Sequence, residues 1–131
     1  MANDMANDTL DALHRALTTF NADRDWEQFH TPKALAAALS VEASELLELF
    51  LWRRDDAPLP DGACLEEEAG DVLICLCNFA RAAGIDLIAA ANRKLAQNAT
   101  RYPVATARGK ALKYDQLPHT PDPKDQDDAH E

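Results

Sequence analysis

The sequence lacks the features of a membrane or secreted protein. No apolar run approaches the roughly 18 consecutive residues that a transmembrane helix needs. The first residues are polar and acidic, which does not match a secretory signal. Cysteine is scarce, and Cys64, Cys75 and Cys77 make no disulfide framework. These absences argue against an oxidising compartment, so we expect a cytoplasmic protein.

Positive charge is also in short supply, with 13 Lys and Arg residues against 23 Asp and Glu residues and a net charge of −10. Because a chain this acidic is a poor general ligand for nucleic acid or an anionic membrane, we expect neither as a partner. The charges are unevenly distributed, since no acidic residue lies between Asp86 and Asp115. An acidic middle followed by a basic segment suits a protein that binds a metal-bound polyanion, although such blocks are also common on solvated surfaces.

Strand-like alternation and solenoid repeats are absent as well, and 131 residues suffice for one core. Apolar residues at helical spacing, together with boundary signals such as Thr31-Pro32, Gly84 and Pro103, predict four helices instead. We place them at about residues 9–23, 32–53, 64–83 and 87–101. Short connections between four helices predict an all-α protein built as a four-helix bundle.

Two short ends fall outside the predicted domain, which covers residues 9–118. Residues 1–8 duplicate a tetrapeptide, and residues 119–131 form an acidic tail rich in proline and aspartate. Both compositions are typical of disordered segments. After Pro103 the chain is expected to form an arm that packs on the bundle or on a neighbour.

Four carboxylates occupy helix faces that should be buried. On the second helix, Glu42 falls within the apolar stripe and Glu45 lies at the edge of that stripe. On the third helix, Glu68 falls within the apolar stripe and Asp71 lies beside it. The members of each pair are helical neighbours that can share one ligand. Since four unpaired carboxylates would repel one another at a high desolvation cost, we expect a divalent cation among them. The alternative, that they are structural or that the helix phase is misjudged, stays open.

The donor set indicates which cation to expect. An all-oxygen site favours Mg²⁺, with Mn²⁺ as the alternative, and no Glu-x-x-His pair suggests a di-iron redox centre. Because Mg²⁺ keeps coordination positions for water and substrate phosphates, basic residues are expected nearby. Lys94 and Asn98, four residues apart at one edge of the fourth helix, could reach those phosphates. A plain exposed pair is the alternative.

These motifs resemble the MazG-like, all-α nucleoside-triphosphate pyrophosphohydrolases. Glu42-x-x-Glu45, followed after a spacer by Glu68-x-x-Asp71 and Val-Leu-Ile, is similar to the signature of that superfamily. The chain looks closest to the dCTP pyrophosphatase branch over about residues 8–118. The closer match lies in the segments RDWEQFH (24–30), ELFLW (48–52), RYPV (101–104) and RGK with KY and LP (108–118).

The resemblance implies cleavage of a (d)NTP between its α- and β-phosphates, with dCTP or a related pyrimidine nucleotide as the best substrate. It implies that Glu42, Glu45, Glu68 and Asp71 hold Mg²⁺, and that a glutamate, Glu45 or Glu42, orients or deprotonates the attacking water. The products would be a nucleoside monophosphate and pyrophosphate, in a role of nucleotide pool sanitation. A homodimer or homotetramer is also implied.

The same resemblance implies substrate contacts. Lys94 and Asn98 match positions that contact the phosphates or sugar, and Trp26, His30 and Trp52 match positions that contact the base. Aromatic faces stack well on nucleobases, although packing in the core or an interface is the other interpretation of the tryptophans.

One departure from the branch bears on base preference. Cys75 stands where the branch often has a tyrosine, and its smaller side chain would reshape the base pocket. Two other functions therefore stay open. One is an enzyme of the same fold that acts on dUTP, a damaged purine nucleotide or phosphoribosyl-ATP. The other is a non-catalytic helical module that binds a nucleotide or a partner.

Overall fold

The computed structural model describes residues 8–119, and every regular element in that range is helical. The helices are α1 Leu10–Asp23, α2 Pro32–Glu48, α3 Gly62–Ala83, α4 Leu87–Arg101 and the short α5 Val104–Ala107. Single 3₁₀ turns cover Glu27–Phe29 and Tyr114–Gln116. The predicted all-α class is confirmed. The predicted disorder of residues 1–8 and 119–131 falls almost wholly outside the described residues.

Helix ends lie where the local sequence provides caps. The Thr9 hydroxyl accepts the Ala12 N–H at 3.1 Å, and the Thr31 hydroxyl accepts the Ala34 N–H at 3.2 Å. Each bond satisfies one of the N–H groups that a helix N-terminus leaves unpaired. Gly84 ends α3 with φ +69°, a left-handed conformation that costs glycine little.

The predicted extension of the second helix to about residue 53 is wrong, because α2 ends at Glu48. The Phe50 N–H donates to the Leu47 carbonyl at 2.9 Å and the Leu51 N–H to the Glu48 carbonyl at 3.3 Å. These i→i+3 bonds tighten the chain into turns, and Trp52 then takes φ +64°, which a right-handed helix cannot accommodate. The segment carries neither glycine nor proline, so its sequence gave no stop signal.

The chain divides into two compact units, the first ending at Leu87 and the second beginning at Ile88. In the first unit α3 packs along α2 and also contacts α1. Cys77 and Ala80 of α3 are completely buried, whereas Leu35, at 5% exposure, is the one buried residue of α2. Helix α3 is therefore the central element of this unit, and the face that it shares with α2 carries the predicted carboxylates.

The second unit holds α4, α5 and the segment that follows. The Tyr102 and Tyr114 rings meet edge to face at 6.2 Å, and the Arg101 guanidinium lies 4.8 Å from the Tyr114 ring. The predicted arm thus packs back on the end of α4. Two residues of the predicted apolar stripe of α4 are largely exposed among the described residues, Ile88 at 57% and Leu95 at 68%.

Hydropathy gives no single membrane-spanning helix among residues 8–119. Only α3 and α4, taken together as a broken pair, reach the length and apolar content of a span.

Candidate active site

Four carboxylates meet where α2 and α3 pack together. One oxygen each from Glu42, Glu45, Glu68 and Asp71 lies within 4.8 Å of the other three. The three-residue spacing places each pair on one helix surface, and the packing of the two helices brings the pairs face to face. None of the four side chains is fully buried, so a ligand can reach the cluster from solvent.

Two oxygens of this cluster have no protein partner. Oε2 of Glu42 and Oε2 of Glu68 are buried and accept no hydrogen bond in the described part of the chain. The pKa of Glu42 is raised above its ordinary value of 4.5, first by its hydrogen bond with Glu45 and then by burial. Burial is the main cause that raises the pKa of Glu68, followed by the negative charges of Glu45 and Asp71. The four carboxylates are therefore close together in a site that is partly shielded from solvent.

This donor set fits a divalent cation. Carboxylate oxygens are the ligands that hard cations such as Mg²⁺ and Mn²⁺ prefer, and a cation would satisfy the two unpartnered oxygens. Cys75 follows Asp71 by about one turn, but burial, with the charges of Glu42 and Asp71, raises the pKa of its thiol. The group of mutually close ligand atoms consists of the four carboxylates and does not include the Cys75 sulfur, so the site is an oxygen site.

The raised pKa of Glu68 predicts a pH-dependent effect on stability. Because folding raises this pKa, the folded state binds more protons than the unfolded state between pH 4.5 and the raised value. Ionised Glu68 therefore destabilises the metal-free protein at neutral pH. We expect Glu68→Gln to melt at a higher temperature than the wild type at pH 7 with a chelator present, and the difference to close as the pH falls toward 4.5.

Thermal unfolding across this pH range, with and without added Mg²⁺, measures the effect. Glu66→Gln is the matched control, since Glu66 is exposed on the same helix and outside the cluster. Saturating Mg²⁺ should reverse the order of the two melting temperatures. A ligand that binds the folded state stabilises it, and the wild type is expected to bind Mg²⁺ more tightly than the variant does. A Glu68→Gln variant that melts below the wild type without metal would show that Glu68 supports the fold.

An apolar cavity of about 250 Å³ lies in the same unit, between α1, the turn after it and α3. Trp26, with its ring edge-to-face against Phe20 at 5.6 Å, forms part of the wall. The wall also includes Ile74, which follows Asp71 by about one helical turn. A concave, mostly apolar surface with a few polar groups is typical of a small-molecule site.

The structure brings together two of the three residues predicted to contact a base. Trp26 and His30 both line the cavity. Trp52 does not line the cavity, because it lies on the loop after α2, where its φ is positive and its side chain is fully exposed. Its predicted role therefore gains no support from the geometry of the single chain and stays a prediction.

Two further cavity residues escaped the sequence analysis. Asn21 of α1 and Asn78 of α3 are buried, and Nδ2 of Asn21 donates to Oδ1 of Asn78 at 3.0 Å. A signal was available, because Asn21 follows Leu17 by four residues and Asn78 follows Cys75 by three, so both amides fall on apolar stripes. A polar residue on a buried face is the same anomaly that identified the carboxylates.

The two residues predicted to contact phosphates lie on α4, in the second unit. Lys94 is exposed and donates from Nζ to Oε1 of Gln97 at 3.2 Å. Together with Arg93 it lines a shallow concavity. Asn98 is half-buried one turn further along the helix. Their predicted contact with phosphates stays a prediction.

Comparison with known proteins identifies the family. The profile of the MazG-like family matches residues 37–117, a range that contains all four carboxylates. The chain belongs to the MazG-like family. This membership confirms the resemblance read from the acidic motif.

Within the MazG-like family, the chain is similar to dCTP pyrophosphatase 1 of Homo sapiens, with 44% identity over 117 residues that cover 85% of this chain and 69% of that protein. The Mus musculus protein of the same name is 45% identical over 116 residues, or 84% and 68%. The crystal structure of a pyrophosphatase from Archaeoglobus fulgidus is 37% identical, with a TM-score of 0.66, and the match covers 72% of this chain and 92% of that one.

Proposed function

We propose that this chain hydrolyses nucleoside triphosphates to a nucleoside monophosphate and pyrophosphate, with dCTP or a related pyrimidine nucleotide as its preferred substrate. The observation that carries the proposal is the meeting of four carboxylates between α2 and α3, one helical turn from a cavity that contains an aromatic wall. The mammalian relatives at 44% and 45% identity are dCTP pyrophosphatases, which supports this substrate class. The biological role would be sanitation of the nucleotide pool.

We propose Mg²⁺ as the metal and Glu42, Glu45, Glu68 and Asp71 as the residues that would hold it, with Mn²⁺ as the alternative ion. When bound, such an ion neutralises triphosphate charge and lowers the pKa of the attacking water. Glu45 or Glu42 is the proposed group that orients this water or takes its proton.

The order of residues along α3 supports one orientation of the substrate. Asp71 belongs to the cluster, and Ile74 lines the cavity about one turn later. A nucleotide whose phosphates lie at the carboxylates therefore has its base at the cavity, against Trp26 and His30. Lys94 and Asn98 are the proposed phosphate or sugar contacts, and Trp52 is retained as a base contact on the resemblance alone.

A homodimer or homotetramer is part of the proposal. Several large apolar side chains are exposed in the described part of the chain, among them Leu95 on α4 and Leu47 on α2, the latter at 59% exposure. Exposed apolar surface of this kind is typical of faces that associate.

Product identification on a panel of nucleotides tests the proposed function. With Mg²⁺, dCTP is expected to yield dCMP and pyrophosphate, rather than dCDP and phosphate, at the highest kcat/KM of the panel. A preference for dUTP, a damaged purine nucleotide or phosphoribosyl-ATP would replace the substrate and keep the reaction class. Absence of turnover, with no rise in melting temperature on adding Mg²⁺ and nucleotide, would contradict the proposal and favour a non-catalytic module.

A further inference from the structure

A buried pair of side-chain amides forms part of the cavity wall. Asn21 is 2% exposed and Asn78 is 8% exposed, and the 3.0 Å bond between them joins α1 to α3. Both residues line the cavity that also contains Trp26. In an otherwise apolar cavity, a few fixed polar groups decide which ligand is accepted, because an unmatched group left buried is costly.

The pair is held in register with the aromatic wall. The backbone carbonyl of Asn21 accepts the N–H of Trp26 at 3.0 Å and that of Arg24 at 3.3 Å. Asn21 therefore has two roles, since its side chain binds Asn78 and its carbonyl binds the turn that carries Trp26. An amide and an aromatic face are thus positioned together, as recognition of a flat, hydrogen-bonding ligand requires.

The bond between the amides uses only part of the Asn78 carboxamide. Its Oδ1 accepts from Asn21, while its Nδ2 group takes no part in that bond. Asn78 and His30 also line a second recess beside the cavity, together with Arg81. Nδ1 of His30 is buried and has no hydrogen-bond partner among the described residues. Groups that can form hydrogen bonds with a ligand are therefore concentrated at this end of the cavity.

The distance from the carboxylates to Asn78 matches the length of a nucleotide. Asn78 follows Asp71 by seven residues on α3, which is a rise of about 10.5 Å and a rotation about 20° short of two full turns. The two side chains therefore lie on one face of the helix. A nucleotide extended along this face, with its phosphates at the carboxylates, reaches Asn78 with the edge of its base.

We propose that Asn78, positioned by Asn21, is a specificity-determining residue that donates a hydrogen bond from Nδ2 to N3 of the pyrimidine base. Cytosine presents an acceptor at N3, whereas uracil and thymine present a donor there, so an amide donor to N3 favours cytosine. The O2 atom is an acceptor in all three bases and does not discriminate between them. The inference rests on the proposed function, because it requires a nucleotide in this cavity.

The double variant Asn21→Leu/Asn78→Leu tests the inference, because replacing both partners of a buried hydrogen bond by apolar groups of similar shape is far less costly than removing one. We expect it to stay folded and to lose more kcat/KM on dCTP than on dUTP, so that the ratio of kcat/KM for dCTP to that for dUTP falls about tenfold. Cys77→Ala is the control, since Cys77 is completely buried next to Asn78 but does not line the cavity. It should leave the ratio unchanged.

A second measurement needs no variant. The wild-type protein is expected to hydrolyse 3-deaza-dCTP, which lacks the N3 acceptor, with a kcat/KM about tenfold below that of dCTP. An unchanged ratio in the double variant, an equal loss on both nucleotides, or full activity on the deaza analogue would each overturn the role of Asn78 and leave the proposed function standing. A wild-type protein inactive on every triphosphate would overturn the proposed function and this inference with it.

Discussion

Glu45→Gln is expected to lose turnover of dCTP by a factor of about 10² to 10³ while the protein stays folded. The substitution keeps the shape of the side chain but removes one negative charge and the proposed proton acceptor. It also relieves repulsion, because Glu45 contributes to the raised pKa of both Glu42 and Glu68. Steady-state kinetics at saturating Mg²⁺ gives the loss, and circular dichroism with thermal unfolding shows that the fold persists.

Glu48→Gln is the matched control, since Glu48 is the next acid on the same helix, is exposed and lies outside the cluster. It should retain wild-type kcat. Asp71→Asn supplies an independent variant from the other helix, expected to lose activity and to weaken Mg²⁺ binding measured by calorimetry. Full activity in both cluster variants would remove the carboxylates from the mechanism, and unfolding of both at neutral pH would assign them to the core.

The carboxylate cluster was predictable from sequence because a charged residue on a buried helical face is a local anomaly. The helical period fixes which residues share a face, so Glu42 and Glu68 could be seen to interrupt apolar stripes without knowledge of the partner helix. Packing of α2 on α3 then left little freedom in how the two pairs meet. The caps at Thr31 and Gly84 were predictable for a similar reason, since each residue caps one end of a helix through contacts with residues a few positions away in the sequence.

Features that depend on long-range packing were harder to predict. The Asn21–Asn78 bond joins residues 57 positions apart, and neither asparagine reveals its partner. The end of α2 at Glu48 and the left-handed conformation of Trp52 occur in a segment without glycine or proline, and Trp52 has no intrinsic preference for that conformation. Because the local sequence does not specify this turn, the place of Trp52 on an exposed loop could not be predicted.

Trp26→Ala is expected to raise KM for dCTP about tenfold to a hundredfold with a much smaller change in kcat. Stacking of a base on an aromatic side chain contributes about 1–3 kcal/mol, and Trp26 is the tryptophan that lines the cavity. Because the ring is 45% exposed, its removal leaves most of the core intact. Steady-state kinetics on dCTP and dUTP separates the effect on KM from that on kcat, and Trp26→Phe should recover part of the affinity.

The chain has two tryptophans, so fluorescence can assign the stacking residue directly. In Trp52→Phe the remaining indole is Trp26, and a non-hydrolysable dCTP analogue with Mg²⁺ is expected to quench it strongly. In Trp26→Phe the remaining indole is Trp52, which is fully exposed in the single chain, and its quenching tests the base contact that the resemblance implies for it. Strong quenching of Trp52 alone, with an unchanged KM in Trp26→Ala, would move the base out of this cavity and to the loop after α2, because the kinetic and the fluorescence results would then agree that Trp26 does not contact the base.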